Sequence, residues 1–165
     1  MSPTVRRLGA DEAGLLRRLR LRALGDAPMA FGSTLAREEG YEPEQWERWA
    51  AAAASGEQQA IFIAEPACGM ASGVIDDEEP RLAHLYAMWV APDARGTGAG
   101  RALLAAVVGW ATDRGAERLT TSVTDGNAAA AALYARAGFA DTGRREPLGH
   151  SDAVVAVLER PLGQS

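Results

Sequence analysis

The chain has 165 residues, of which 47% are hydrophobic and 24% charged, with one cysteine and a formal net charge of -5. This length and composition suit one compact domain, which we expect to span residues 1–165. The acidity argues against nucleic acid as a partner, and the single cysteine excludes an internal disulfide. No stretch approaches the roughly twenty apolar residues of a membrane span, and the N-terminus lacks a signal-peptide core, so we expect a cytoplasmic protein without a membrane partner.

The first third of the chain predicts a short strand followed by two helical stretches. "TVRRL" at residues 4–8 is typical of a strand, and "DEAGLLRRLRLRAL" at 11–24 has helical spacing, with an N-cap near Asp11 and a stop at Gly25. A second helical stretch, "REEGYEPEQWERWAAAAASG", covers residues 37–56.

The middle of the chain predicts three strands. "QAIFIAEP" and "GMASGVID" read as an antiparallel pair around a turn, and "RLAHLYAMWV" at residues 81–90 is a third, longer strand. Both alternating faces of the third strand are largely apolar. It is therefore predicted to be central and covered on both sides.

The remainder of the chain alternates helices with strands. In chain order we expect a helix over 101–115, a strand over 118–123, a helix over 127–138 capped by Asn127, and a strand pair at 139–143 and 153–162. With no repeat or linker in between, this order predicts one domain of mixed α/β class.

A glycine-rich stretch, "APDARGTGAGRALL" at residues 91–104, connects the third strand to the helix that follows it. The first turn of a helix has backbone N–H groups without internal partners, and together with the helix dipole they favour phosphate. Arg95 adds a donor of charge-assisted hydrogen bonds. A dinucleotide fingerprint fails because Arg101 stands where its third glycine belongs, and a P-loop fails because the stretch has no lysine.

The loop matches Arg-x-x-Gly-x-Gly at residues 95–100, and "SVTDGNAAAAALYARAGF" at 122–139 ends in Leu-Tyr-x-x-x-Gly-Phe. In these two motifs the chain resembles the Gcn5-related N-acetyltransferases over about residues 82–142. The resemblance implies a mixed, mostly antiparallel sheet of six to seven strands flanked by about four helices. It also implies a splayed central strand pair that forms the acetyl-CoA cleft.

That resemblance implies an acetyl group moving from acetyl-CoA to a primary amine of a small molecule or peptide, by direct attack in a ternary complex without a metal. Residues expected to bind the cofactor are Met88, Trp89, Val90, Arg95, Gly96, Thr97, Gly98, Ala99, Gly100, Arg101, Asn127 and Tyr134. Tyr134 is also expected to be the acid that protonates the leaving thiolate, since a phenol is protonated at neutral pH. Asn127 has an alternative role as a plain N-cap.

The base and the acceptor pocket are less constrained by the sequence. His84 stands where relatives often carry a glutamate, so it is the candidate base, with a core histidine, a water chain or a carboxylate as alternatives. Phe31 and Trp46, with Trp49, are candidates for the acceptor pocket or for the core. The acidic run at residues 76–79 either attracts a cationic amine or is a solvated turn.

Two rival functions are compatible with the sequence. A homodimer is compatible with the resemblance. One rival is a non-catalytic module of the same fold that binds coenzyme A as a sensor. The other is a Ser-His-Asp hydrolase built on the adjacent residues 150–152, where His150 is expected at the surface. Adjacent side chains of an extended segment point to opposite faces, and no Gly-x-Ser-x-Gly elbow is present, which disfavours the hydrolase.

Overall fold

A computed structural model describes residues 3–163, which form a seven-stranded sheet with helices on both faces. The strands are β1 (Val5–Arg7), β2 (Gln59–Ala64), β3 (Gly69–Ile75), β4 (Leu82–Val90), β5 (Arg118–Thr124), β6 (Ala140–Pro147) and β7 (Val154–Pro161). Their order across the sheet is β1-β2-β3-β4-β5-β7-β6. Among the strands of residues 3–163, only β4 and β5 pair in parallel, which confirms the mixed, mostly antiparallel sheet.

Five α-helices accompany the described strands, whereas the resemblance implied about four helices. They are α1 (Ala13–Asp26), α2 (Leu35–Glu39), α3 (Pro43–Ser55), α4 (Ala99–Asp113) and α5 (Ala128–Arg136), and none of them is long and apolar enough to cross a bilayer. The additional helix arises because the stretch 37–56 is interrupted after Glu39, with Gly40 as the C-cap of α2. Pro43 then opens α3 at its first position, with a reciprocal capping box between Glu42 and Gln45.

The ends of α1 differ from the sequence prediction. Asp11 does not cap the helix, which begins after Glu12. The Glu12 carboxylate instead accepts the Gly9 N–H at 2.9 Å and pairs with Arg6. Gly25 lies inside the last turn and does not stop the helix, because the chain stays helical through the next residue.

Two apolar clusters cover the opposite faces of the sheet. One lies under α4 and contains Phe62, Leu85 and Val107, and the other lies under α1 and α3 and contains Ile61 and Trp89. Alternate residues of β2 contribute to the two clusters, which explains why this strand is apolar throughout its length.

A bulge in β4 exchanges its two faces. Trp89 pairs with Met70 and Tyr86 pairs with Ser72, so two residues of β4 oppose a single residue of β3. The bulge includes Ala87, whose φ of 56° is positive. Two sequence predictions fail here: the faces do not alternate strictly along the strand, and Tyr86 is 52% exposed where we expected cover on both sides.

Strands β4 and β5 separate soon after they begin. Their parallel pairing covers only residues 82–84 and 118–120, whereas β4 continues to Val90 and β5 to Thr124. Just beyond the last pair, the Thr121 hydroxyl donates to the Leu85 carbonyl at 3.1 Å. The expected splayed central strand pair is therefore present, and the gap between its strands opens into a cleft.

Candidate active site

The cleft between β4 and β5 has a volume of about 490 Å³. Helix α5 and the two central strands form one part of its wall. The other part includes residues of α1, of α3, of β6 and of the loop that connects α1 to α2. The polar and aromatic residues in this wall are Arg20, Phe31, Ser33, Trp49, Gln59, Ser72, Tyr86, Thr121, Ser122, Thr124, Asn127, Tyr134 and Glu146. Met88, which was expected to touch the cofactor, also lines it.

The glycine loop presents a row of free backbone donors at the start of α4. The N–H groups of residues 96–101 have no hydrogen-bond acceptor within residues 3–163, and the first bonded one is that of Ala102, to the Gly98 carbonyl at 3.0 Å. Gly96 and Gly98 have φ angles of 81° and 92°, at which the backbone of a residue with a side chain would be strained. Successive N–H groups around such residues form a concavity that binds anions, and the dipole of α4 reinforces it.

Arg95 braces this loop. Its Nε donates to the Val90 carbonyl at 3.0 Å, and one terminal nitrogen lies 2.7 Å from Oδ2 of Asp26 at the end of α1. The indole N–H of Trp89 donates to the same carboxylate oxygen at 2.9 Å. These bonds from Trp89 and then Arg95 hold the pKa of Asp26 below its usual value. A contact between Arg95 and a phosphate stays a prediction.

Tyr134 lies on α5 with its ring packed edge-on against Phe139, at 5.4 Å between centroids. The residue is only 5% exposed, and it faces the cleft. Burial raises the pKa of its phenol to about 12, and a hydrogen bond with Thr121 acts in the opposite direction. The hydroxyl therefore keeps its proton at neutral pH and can donate it to a group in the cleft.

Asn127 serves as the N-cap of α5, where its side-chain oxygen accepts the Ala130 N–H at 3.2 Å. It lines the cleft as well, so the cap is shown and the cofactor contact stays a prediction. Trp89 differs from Met88 because its side chain is buried in the cluster under α1 and α3. Any contribution of Trp89 to cofactor binding is thus limited to its backbone.

His84 does not line the cleft. Its Nε2 lies 2.7 Å from Oδ1 of Asp76, and its ring stacks on that of Tyr86 with 5.5 Å between centroids. The other Asp76 oxygen accepts the N–H groups of Glu78 and Glu79. The contact with His84 first, and these backbone bonds second, lower the pKa of Asp76. The tertiary structure therefore places His84 behind Tyr86 and away from the wall that contains Tyr134.

The predicted acceptor residues separate into wall and core. Phe31 lines the cleft, but Trp46 is 2% exposed, belongs to the cluster under α1 and α3, and stacks on Trp49 at 5.6 Å between centroids. The assignment of Trp46 to the pocket is wrong because its face of α3 packs inward, and Trp49, almost one turn later, reaches the cleft in its place. His150 is also not a simple surface residue, since it is half-buried and its Nε2 lies 2.6 Å from the Phe31 carbonyl.

Sequence reasoning missed most polar residues of the wall, among them Arg20, Ser33, Tyr86 and Glu146. One of them left a signal, because Arg20 stands four residues from both Leu16 and Leu24 and so interrupts the buried stripe of α1. Its guanidinium makes two bonds of 2.8 and 3.0 Å to Glu38, which is 2% exposed.

The fold and the site define an acetyltransferase-type domain, with a glycine loop of unbonded N–H groups at the start of α4 and a cleft between splayed strands. The chain belongs to the acetyltransferase (GNAT) family, whose model matches residues 23–139.

Individual relatives share parts of the sequence or the fold. Mycothiol acetyltransferase from Salinispora arenicola is 45% identical over 62 residues, which cover 37% of this chain and 20% of that protein. The chain thus matches about a fifth of the length of this relative. A GNAT acetyltransferase structure from Streptococcus pneumoniae superposes with a TM-score of 0.82 at 21% identity, covering 98% of this chain and 100% of that one. A phosphinothricin acetyltransferase from Sinorhizobium meliloti, solved with AcCoA, gives 0.79 at 20% identity, covering 99% and 90%. At these identities the structural likeness shows the fold alone.

Proposed function

We propose that this chain transfers an acetyl group from acetyl-CoA to a primary amine of a small molecule or peptide, by direct attack within a ternary complex. The observation that carries this proposal is the row of free N–H groups of residues 96–101, in which Gly100 lies next to Leu133, the residue before the cleft residue Tyr134. A diphosphate fits such a row. A pantetheine arm fits the gap where β4 and β5 leave their strand edges unpaired.

The chemistry requires an acid and a base from the protein. Acetyl-CoA supplies an acyl group activated as a thioester, and the amine nitrogen forms a bond to the carbonyl carbon as the carbon–sulfur bond breaks. Tyr134 donates its proton to the departing sulfur, as the pKa of about 12 allows at neutral pH. His84 is the proposed base, acting through water. Its Nε2 lies 2.7 Å from Oδ1 of Asp76, so Nδ1 is the ring nitrogen that we propose as the proton acceptor.

Location and assembly belong to the same proposal. We place the protein in the cytoplasm, because its lone cysteine suits a reducing compartment. A homodimer is compatible with this function, and sedimentation of the purified protein measures it directly.

Two measurements on the purified chain test the activity. Calorimetry with coenzyme A should show saturable binding, and a thiol-release assay with acetyl-CoA should report free coenzyme A only when an amine is added. Release without amine would identify a hydrolase, and binding without release for any amine would identify a sensor. A folded chain that gives no binding heat at millimolar coenzyme A contradicts the proposal as a whole.

A further inference from the structure

Building on the proposed function, we infer that the acceptor is an amino acid, whose carboxylate is received by Arg20 and Ser33 at the wall of the cleft. Both residues line the cleft, Arg20 from α1 and Ser33 from the connection between α1 and α2. The observations that support this assignment are the unused donors of these two side chains.

Arg20 is a fixed guanidinium with donors to spare. Its side chain is 11% exposed and lies between two aromatic rings, with Cζ 4.9 Å from the centroid of Phe31 and 5.6 Å from that of Trp49. Glu38 engages Nε and one terminal nitrogen, and the other terminal nitrogen, Nη1, has no acceptor within residues 3–163. With the side chain 11% exposed and part of the cleft wall, Nη1 is the donor group left for a ligand. Because a guanidinium has five N–H donors, Glu38 leaves three of them for a ligand.

Ser33, in the same wall, carries a second polar group without a partner in the described part of the chain. Its Oγ is buried, and no atom within residues 3–163 forms a hydrogen bond with it. A buried hydroxyl without a partner costs free energy, which a ligand oxygen would recover. The other buried unpartnered side-chain atom in that part of the chain, Nε1 of Trp46, does not belong to the cleft wall. An acceptor with two adjacent oxygens, such as a carboxylate, matches a guanidinium and a hydroxyl.

The amine end of an amino acid finds its own partners in the cleft. Glu146 of β6 lines it, as does Tyr86 of β4 with its exposed phenol. Burial, and next the negative charges of Asp76 and Glu146, raise the pKa of the Tyr86 phenol. The same negative charges favour a cation at this part of the wall. One cleft therefore combines an acidic region with a guanidinium that is neutralised only by a buried carboxylate. An amine that lacks an anionic group would contact the acidic region and leave the guanidinium of Arg20 without a ligand.

Matched acceptors test the inference on the wild-type protein. Each of a panel of amino acids is compared with its own carboxamide in the thiol-release assay with acetyl-CoA. We expect kcat/KM to be at least about tenfold higher for the free carboxylate, the size of one or two charge-assisted hydrogen bonds. The carboxamide has the less basic amine and hence the larger neutral fraction near pH 7, so a preference for the carboxylate opposes intrinsic reactivity.

Substitutions then assign the preference to the two residues. Ser33→Ala should raise KM for amino acids about tenfold with kcat nearly kept, and should raise KM for carboxamides less because their neutral oxygen is the weaker acceptor. Ser55→Ala, at the end of α3, should leave KM for both kinds of acceptor unchanged. Because Arg20→Met alone strands the Glu38 charge, it is combined with Glu38→Met, which removes both buried charges together. The double variant should lose the carboxylate preference, and Ser33→Ala remains informative if the double variant fails to fold.

The outcomes separate this inference from the proposed function. Equal kcat/KM for both members of each pair, or no turnover of any amino acid by protein that binds acetyl-CoA, overturns the inference and leaves the cofactor site standing. An unchanged KM in Ser33→Ala also overturns it. Failure to bind acetyl-CoA would instead remove the proposed function itself.

Discussion

The two halves of the cleft are built in different ways. The proposed cofactor half uses main-chain N–H groups and two short stretches, residues 91–104 and 122–139, in which the chemistry and the local structure share the same motif. The acceptor half uses side chains from α1, the connection after it, α3 and β6, which are brought together from across the chain. Main-chain recognition depends on local conformation, whereas a side-chain pocket depends on how distant elements pack.

A second contrast lies in how each half treats charge. The glycine loop is exposed, and the brace from Arg95 to Asp26 is partly solvated. The acceptor half contains an ion pair, Arg20 with Glu38, that is almost entirely removed from water. Substitutions in the acceptor half should therefore cost more stability, and those in the loop should cost more cofactor affinity.

The largest effect that separates the halves is expected from Glu38→Leu. It leaves the Arg20 charge buried without a partner, which should lower the free energy of unfolding by about 3–5 kcal/mol. Urea denaturation measures this loss, and the exposed neighbour provides the control Glu39→Leu, expected within about 0.5 kcal/mol of wild type. The coenzyme A affinity of the folded fraction should stay the same. Equal losses for the two variants would mean that the pair contributes nothing to stability.

Tyr134→Phe should reduce kcat by roughly ten to a thousandfold with acetyl-CoA affinity nearly kept, because it removes one general acid. A phenol with a pKa of about 12 is protonated at every lower pH, so the ratio of wild-type to variant rates should stay constant from neutral into moderately alkaline solution. Tyr41→Phe, outside the cleft, is the matched control. Unchanged turnover in Tyr134→Phe would exclude the phenol as the acid.

Two glycines of one segment sharpen the comparison within the cofactor half. Gly98 has a φ of 92°, so Gly98→Ala strains the loop by about 1–2 kcal/mol and should weaken coenzyme A binding about tenfold. Gly109 lies in α4 with open space around it, so Gly109→Ala should keep the affinity and stabilise the chain by about 0.5–1 kcal/mol. Calorimetry and thermal unfolding measure the two effects. A Gly98→Ala protein with wild-type affinity would argue against a role for this backbone geometry.

The smallest effect is expected from Asp26→Asn, at the junction of the two halves. Because the folded-state pKa of Asp26 is depressed, its contribution is present above the usual value of 3.8 and is lost as pH falls through the folded-state value. At neutral pH the variant should be less stable by about 1 kcal/mol or less, and the difference should disappear in acid. Unfolding curves at several pH values test this. A gap that persists below the folded-state pKa would have a cause other than this carboxylate.

The sequence predicted the cofactor half of the cleft in more detail than the acceptor half. The loop and the resemblance it carries were readable because a glycine pattern fixes backbone conformation within a few residues. The placement of Trp46 in the pocket failed because helical spacing places Trp46 and Trp49 on neighbouring faces of α3 without indicating which face packs inward. The strict alternation in β4 failed because its bulge is visible only against the pairing partner β3.

By itself the sequence determined the order of the strands and longer helices, the mixed α/β class and the free donors at the start of α4, because each depends on residues close together in the chain, and its resemblance to the family singled out Tyr134 as the candidate acid. Only the tertiary structure decided that His84 sits behind Tyr86, that Arg20 meets Glu38 beside the cleft, and that Ser33 keeps a buried hydroxyl without a partner. Those facts depend on contacts between distant segments, which packing sets and local pattern does not encode.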